Sequence, residues 1–166
     1  TGIANLTGRY AAAMGMAYRI WLEDIQDTAY ALKCLKHGKE VYEMGLKQKG
    51  SQEGTPCSQP YRYHEITWAD DMEWGAAELY KATGEKRYLD EAAEFAREIN
   101  TVSWMGKDTA RHYEYYPFVN IGHYAFYSIA DEKLKKELAV YYRNGIEKVY
   151  EKSLKNPYRM GVPFIW

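Results

Sequence analysis

The strongest constraint on the fold is a series of six amphipathic helical patterns, joined alternately by short turns and by long connections. In each pattern, apolar or small residues recur at i, i+3, i+4 and i+7, the spacing of a helix buried along one face. No segment sustains the two-residue alternation that is typical of a strand. We therefore predict an all-α fold with about six helices in three α/α hairpins. The patterns cover residues 3–21, 31–45, 72–80, 88–99, 118–129 and 131–149.

The same spacing predicts which face of each helix lies inward. In the second helix this face carries Cys34, Gly38 and Gly45, whose small side chains allow close packing. Proline falls only between or just outside the helices, where its missing N–H does no damage. The face predicted to be buried in the first helix consists of Ile3, Leu6, Tyr10, Ala13, Ala17 and Trp21.

The lengths of the connections predict where a binding site lies. The connections near residues 46–67, 101–117 and 153–166 are long, whereas the turns within the hairpins are short. In an up-down arrangement every second connection lies at the same end, so the three long connections share one end. Loops on a rigid scaffold commonly carry binding residues, and we expect the site at this end.

Length and charge limit the function classes. The chain of 166 residues, with 46% apolar and 27% charged residues, is predicted to form a single domain over residues 1–166. A formal net charge of −1 argues against nucleic acid as a partner. We find neither an apolar run long enough to span a bilayer nor a signal peptide. Helical periodicity that starts at once and an apolar last segment lead us to expect a piece of a larger protein.

Aromatic residues are abundant and mostly polar-edged. Tyrosine occurs 17 times and tryptophan 5 times, against 4 phenylalanines. Such side chains suit surfaces that are half apolar and half hydrogen-bonding, as carbohydrates and protein interfaces are. Their rings stack on sugar C–H faces, while Asp, Arg, Asn and His bind the hydroxyls. The candidates for sugar stacking are Trp68, Tyr115, Tyr116 and Trp166.

Asp70 and Asp71 stand directly before an apolar helical pattern. A catalytic carboxylate pair flanks the scissile bond from opposed directions, whereas neighbours on a helix point roughly 100° apart. We therefore predict that they start a helix, where carboxylates complement the free N–H groups and the helix dipole. One of them, Asp70, remains a candidate ligand for a sugar hydroxyl.

Other site chemistries find little support. His64-Glu65 precedes the two aspartates, but neither an HExxH nor a paired-cysteine spacing is present, so we expect no metal. No glycine-rich phosphate loop follows a strand, and we expect no cofactor. The sequence does not decide whether Cys34 and Cys57 form a disulfide.

A helical-repeat scaffold is the main alternative. The stretch AAELYKATGEKRYLDEAAEFA has the look of a tetratricopeptide unit. Such units recur about every 34 residues, but here the odd-numbered helices open near residues 3, 70 and 118. The spacing is too long and irregular, yet a binding or scaffold module without catalysis remains the alternative function.

The stretch WADDMEWGAAELYKATGEKRYL resembles a segment of glycoside hydrolase family 9, the inverting cellulase-type family. GRYAAAMGMAYRIW before it and NPYRMGVPFIW after it resemble the neighbouring helix and a following active-face loop, so the resemblance covers most of the chain. It implies an (α/α)6 barrel, of which this chain supplies about half, and β-1,4-glucan-like substrates. It also implies sugar contacts at Trp68, in the loop from Trp104 to Pro117 with Arg111, and at Trp166.

The family's catalytic motifs are absent from residues 1–166. Its catalytic base lies in an upstream Asp-Ala-Gly-Asp type motif, and its general acid is a downstream Glu beyond a His-His-Arg segment. The resemblance therefore implies a fragment that is inactive alone and whose partner is the remainder of the catalytic domain. It further implies a secreted or periplasmic parent protein. The loop sequence RHYEYY departs from the common cellulase pattern, which leaves cellulose oligosaccharides, mixed-linkage glucans and glucosaminides open as substrates.

The proposed half-barrel also has a consequence for assembly. Cutting a closed ring of helices exposes two lateral faces that are expected to be apolar, and large apolar patches drive association. We therefore predict a homodimer through the exposed helix faces.

Overall fold

The computed structural model describes residues 2–52, 67–101 and 120–161. Within these ranges the regular elements are helical, and a π-helical turn, Ile20–Asp24, extends the first helix. The prediction of six helices in three hairpins is therefore confirmed, although the fifth helix ends at Tyr127, before the end of its sequence pattern. The helices are α1 (Ala4–Arg19), α2 (Thr28–Lys47), α3 (Ala69–Thr83), α4 (Lys86–Ile99), α5 (Ile121–Tyr127) and α6 (Glu132–Lys155).

Local side-chain chemistry sets several helix ends. The Asp27 carboxylate accepts a hydrogen bond from the N–H of Tyr30 at 2.9 Å and caps α2. Asp131 caps α6 in the same way, accepting from the N–H of Leu134 at 2.8 Å. Helix α3 ends at Gly84, whose φ of 70° lies in the left-handed region that favours glycine. These capping and stop signals act within a few residues of each helix end.

The helices form two layers. Helices α1, α3 and α5 lie side by side, and α3 is the central one because it packs against both of the others. The partner of each hairpin lies outside this layer: α2 packs on α1, α4 on α3 and α6 on α5. This arrangement of three α/α hairpins is the one expected for part of an (α/α)6 barrel. The short turns meet at one end, the turn end, and the long connections attach at the other, the loop end.

Helices α1 and α3 approach each other through glycine. A Cβ added to Gly8 would lie 2.4 Å from the carbonyl carbon of Asp71, and one added to Gly75 would lie 2.7 Å from the Gly8 carbonyl oxygen. This contact turns the small residues of α1 inward, including Ala4, Ala11 and Ala12. The face predicted to be buried in the first helix is therefore wrong: Leu6 and Tyr10 are 53% and 41% exposed.

The core lies between the two layers. Its larger side chains come from every helix except α1, and the predicted inward faces of α2, α3, α4 and α6 lie largely against it. Cys34 is buried as a free thiol, while Cys57 lies outside the described residues. In the described part of the chain, no helix combines the length and apolarity that a membrane span requires. The largest buried core side chains are Tyr42, Met72, Leu79, Tyr88, Phe126 and Leu138.

Candidate functional site

The loop end brings together the described residues that border the long connections. Ser51 Oγ donates a hydrogen bond to the Thr67 carbonyl at 2.8 Å, which joins the chain before and after residues 53–66. Helix α3 starts beside this contact, α4 ends at Ile99 directly before Asn100, and α5 starts after Asn120. The prediction that these long connections share one end is confirmed for the described residues.

Trp68 lies at this end as the residue that precedes α3. It is half-buried, and its ring packs edge-to-face against Phe95 with 5.8 Å between ring centroids. The Lys49 ammonium lies 5.7 Å from the Trp68 ring centroid, within cation–π range. Trp68 is thus anchored at its position by both α4 and the chain after α2. Its role in sugar binding stays a prediction.

Asp70 and Asp71 lie in the first turn of α3, so the prediction that they start a helix is confirmed. The structure adds that both are buried, with 2% and 3% exposure. Arg9 on α1 donates from Nε to Asp71 Oδ1 at 2.6 Å, which compensates the buried charge. On the other side, the Asp70 charge acts on Glu73 and His123. The two carboxylates therefore act on different neighbours and do not form a pair.

Sequence reasoning missed a buried acid–histidine pair on α3 and α5. Glu73 is 0% and His123 1% exposed. The His123 Nδ1 atom lies 2.9 Å from Glu73 Oε1 and 2.8 Å from Oε2, while Nε2 lies 2.8 Å from the carbonyl oxygen of Asn100. A carbonyl can only accept, so Nε2 carries the proton at this contact. The signal for this site was a Glu and a His inside otherwise apolar helical patterns.

The pair shares one further proton. Burial raises the pKa of Glu73 to about 7, and the hydrogen bond to His123 only partly offsets that effect. Burial alone would lower the pKa of His123, but the hydrogen bond and negative charge of Glu73 outweigh it and raise that pKa. Both pKa shifts favour retention of the proton between Glu73 and Nδ1 of His123. The pair then carries no net charge, which lowers the desolvation cost of burying it completely.

Asn100 has a strained backbone. Its φ of 58° and ψ of −136° lie in a region that L-residues rarely adopt. Such a conformation costs on the order of 1–3 kcal/mol and persists only where the surroundings determine it. The hydrogen bond from His123 to the Asn100 carbonyl is one such determinant, at 2.8 Å. Asn100 directly precedes the connection that holds most of the predicted sugar-binding residues.

The far side of the same connection is held in a comparable way. The Tyr142 hydroxyl donates to the Asn120 carbonyl at 2.8 Å, and the Tyr142 ring contacts the His123 ring with 6.1 Å between centroids. Asn144 on α6 also donates to Thr101 Oγ1 at 3.4 Å. One cluster of side chains thus holds the residues on both sides of 102–119.

Five predicted sugar-binding residues cannot be placed in this geometry, because they lie outside the described residues. They are Trp104, Arg111, Tyr115, Tyr116 and Trp166. Within residues 2–52, 67–101 and 120–161, no three His, Cys, Asp or Glu side chains are arranged to hold a metal ion. Of the predicted site, the structure therefore places Trp68 and Asp70 at the loop end, next to the Glu73–His123 pair.

Comparisons with known sequences agree on one protein family. The family model described as Glycosyl hydrolase family 9 matches residues 1–162. Endoglucanase 18 of Arabidopsis thaliana is 36% identical over 84 residues, which are 49% of this chain and 17% of that protein. Endoglucanase 2 of the same plant is 33% identical over 102 residues, covering 59% of this chain and 19% of that protein. The chain thus spans less than a fifth of the length of these relatives.

Solved structures share the fold. The cellulase Cel9M of C. cellulolyticum superposes with a TM-score of 0.65 at 23% identity, covering 87% of this chain and 31% of that one. A metagenome-derived glycoside hydrolase family 9 endoglucanase gives a TM-score of 0.65 at 24% identity, covering 97% of this chain and 28% of that one. At this identity the likeness concerns the fold, and it extends over nearly all of the chain.

Proposed function

This chain belongs to glycosyl hydrolase family 9, and on that premise we propose that it is part of the catalytic domain of an inverting β-glycosidase. The proposed substrate is a β-1,4-glucan-like polysaccharide or oligosaccharide. Support comes from the endoglucanases among its relatives and from the cellulase with the same fold. The proposed partner of the chain is the remainder of the catalytic domain, and the proposed location of the whole protein is secreted or periplasmic.

The observation that carries the proposal is the position of the start of α3. Trp68 and Asp70 lie at the loop end, where the connections with the other predicted sugar-binding residues also attach. A half-buried indole fixed by Phe95 is a preorganised stacking surface for a sugar ring. Next to it, Asp70 is the proposed acceptor for a hydroxyl group at the base of this surface, since this residue is 2% exposed. We propose that this end forms part of the sugar cleft, with Trp104, Arg111, Tyr115, Tyr116 and Trp166 as further sugar contacts.

The proposed reaction needs two carboxyl groups on opposite sides of the glycosidic bond. In an inverting enzyme, one activates water and the other protonates the leaving sugar, at a separation of about 6.5–9.5 Å. Asp70 and Asp71 do not have this arrangement, because they are adjacent on one helix turn and both are buried. The family resemblance assigns the acid and the base to motifs that do not occur in residues 1–166. We therefore propose that the chain alone binds sugar but does not cleave it.

Sugar binding tests the first part of the proposal. Titration of the chain with cello-oligosaccharides, followed by tryptophan fluorescence and calorimetry, is expected to give saturable binding. Trp68→Ala is expected to weaken it about fivefold, since stacking on an aromatic side chain contributes on the order of 1 kcal/mol. The matched control is Trp21→Ala at the turn end, where the indole packs on Tyr30 with 4.5 Å between centroids. Equal effects of both substitutions would contradict the proposed site.

Hydrolysis tests the second part. Incubation with aryl-cellobioside and polymeric β-glucan is expected to release no product from this chain alone. Turnover that disappears in Asp70→Asn or Asp71→Asn would contradict the assignment of catalysis to other residues. A chain that binds no sugar at all would instead favour the alternative, a helical module that binds protein or serves as a scaffold.

A further inference from the structure

One cluster of side chains hydrogen-bonds to the backbone on both sides of a long connection. It consists of Glu73, His123, Tyr142, Asn100 and Asn120. Its hydrogen bonds end on two backbone carbonyls, those of Asn100 and Asn120, which lie on the two sides of residues 102–119. We propose that Glu73 is a positioning residue: it holds His123 in the form that donates from Nε2 to Asn100. This contact, the clamp, fixes one attachment point of the connection, while Tyr142 holds the other at Asn120. The consequence for sugar binding rests on the proposed function, whereas the clamp itself does not.

The chemistry of the pair explains why the acid is needed. With the shared proton on Glu73, the carboxyl donates to Nδ1 and a neutral His123 carries its proton on Nε2. With the shared proton on Nδ1, an imidazolium faces a carboxylate and Nε2 still carries a proton. Both states therefore donate to the Asn100 carbonyl at 2.8 Å. A lone histidine has no such constraint, because its neutral form can place the proton on either nitrogen.

Loss of the shared proton reverses which ring nitrogen of His123 carries the remaining proton. The Glu73 carboxylate can then only accept, so a neutral His123 places its single proton on Nδ1, which lies 2.8 Å from Glu73 Oε2. Nε2 is left with a lone pair facing the lone pairs of the Asn100 carbonyl, and the contact becomes repulsive. The strained Asn100 backbone then loses a bond that holds it. The clamp is therefore expected to hold at neutral pH and to open at alkaline pH.

The groups that face the pair support this direction. From α3, the charge of Asp70 raises the pKa of both Glu73 and His123, so it favours retention of the shared proton. From α6, Tyr141 stacks on the His123 ring with 5.6 Å between centroids and Tyr142 contacts its edge. Burial raises the pKa of each tyrosine to about 12, so both stay neutral in the range that matters. From α4, the Asn100 carbonyl is the acceptor.

The first test is the protonation of His123, read directly. A nitrogen-15-labelled chain is followed by ring NMR from about pH 6 to about pH 9, a range that begins below the ordinary pKa of histidine and extends past the pKa of about 7 of Glu73. We expect Nε2 to be protonated near neutral pH and Nδ1 to become the protonated nitrogen at alkaline pH. Amide exchange at Thr101, next to Asn100, is expected to accelerate with the same midpoint. A His123 that carries its only proton on Nδ1 near pH 6 would overturn the proposal, and this test needs no variant.

The second test uses Glu73→Gln, which keeps the shape of the side chain and its ability to donate to Nδ1 but cannot lose a proton. In this variant Nε2–H is expected to persist across the whole pH range. The matched control is Glu40→Gln, which changes an exposed pair in which His37 Nδ1 lies 3.2 Å from Glu40. The control is expected to leave His123 and Thr101 unchanged. A Glu73→Gln chain that folds but shows the same alkaline switch as the unmodified chain would overturn the role of Glu73.

The third test asks whether the clamp matters for sugar. The affinity of the unmodified chain for cello-oligosaccharides is expected to fall about tenfold, which is 1.4 kcal/mol, as His123 switches, and to stay level in Glu73→Gln. Unchanged affinity across the switch would overturn the consequence for sugar binding, and the two NMR tests would still decide the clamp. Absence of sugar binding at every pH would refute the proposed function and the sugar consequence together, and the first two tests would still decide the clamp.

Discussion

The backbone contact between α1 and α3 at Gly8 gives a sharp prediction for stability. Gly8 on α1 faces the backbone of α3, and a Cβ added there would lie 2.4 Å from both the carbonyl carbon and the oxygen of Asp71. Ordinary contact distances for carbon are about 3.5–4.0 Å, so Gly8→Ala requires the two helices to separate by roughly 1 Å. No rotamer change can relieve this clash, because the atoms of α3 that it meets belong to the backbone.

The magnitude follows from two opposing effects. Overpacking of a rigid contact typically costs about 1–3 kcal/mol, and backbone contact places Gly8→Ala at the upper end. Replacement of glycine by alanine within a helix returns about 1 kcal/mol of helix propensity. The net free energy of unfolding is therefore expected to fall by about 2 kcal/mol. For a chain of this length, that loss lowers Tm by about 4–8 °C.

Gly84→Ala is the matched comparison, since it makes the same chemical change for a different physical reason. Nothing lies within 4 Å of a Cβ at Gly84, but its φ is 70°. Its cost is the strain of a left-handed alanine, about 1 kcal/mol, and Gly84→Asn should recover part of it because asparagine tolerates this conformation. Asparagine at position 8 should instead be worse than alanine.

The assay is thermal and urea unfolding followed by circular dichroism. A Gly8→Ala chain with a Tm equal to or above that of the unmodified chain would refute the close approach of α1 and α3. Equal responses of positions 8 and 84 to asparagine would refute the distinction between lack of space and backbone strain.

Three further predictions concern charge and assembly. Arg9→Ala removes this partner from Asp71, which is 3% exposed. We expect urea unfolding to report a free energy of unfolding lower by about 1–2 kcal/mol, which is less than for a fully buried pair because Arg9 is partly exposed. Lys86→Ala, which removes one partner of an exposed pair, should have a smaller effect. The pKa of His123 is raised above 6.5 in the folded state, so the folded chain retains a proton that the unfolded chain releases. The free energy of unfolding should therefore fall as pH rises above 6.5, by at most about 1.4 kcal/mol per pH unit. A Tm that rises above pH 6.5, or a pH slope that is unchanged in Glu73→Gln, would contradict this coupling of stability to His123. We expect light scattering to show a homodimer through the exposed face of α1, where Leu6 and Tyr10 are 53% and 41% exposed. Leu6→Glu should weaken this dimer, and an unmodified chain that remains monomeric at high concentration would count against it.

The predicted sugar site shows how far spacing alone reaches. Alternation of short and long connections places Trp68 and Asp70 at the loop end, because direction along an up-down bundle depends only on the order of the helices. The Glu73–His123 pair could not be found in this way. Two residues 50 positions apart come within 2.9 Å only because α5 packs beside α3, and no local pattern encodes that distance.

The number of helices, most of their boundaries and the end that carries the long connections are determined by the sequence itself, because periodicity, caps such as Asp27 and stop signals such as Gly84 act within a few residues. Which faces are buried is decided by the tertiary structure. Helix α3 is surrounded by α1, α2, α4 and α5, so even the polar Glu73 is buried, whereas Leu6 faces away from every described neighbour of α1 and is exposed. Burial depends on what packs against a helix, and a helical pattern records only which residues share a face.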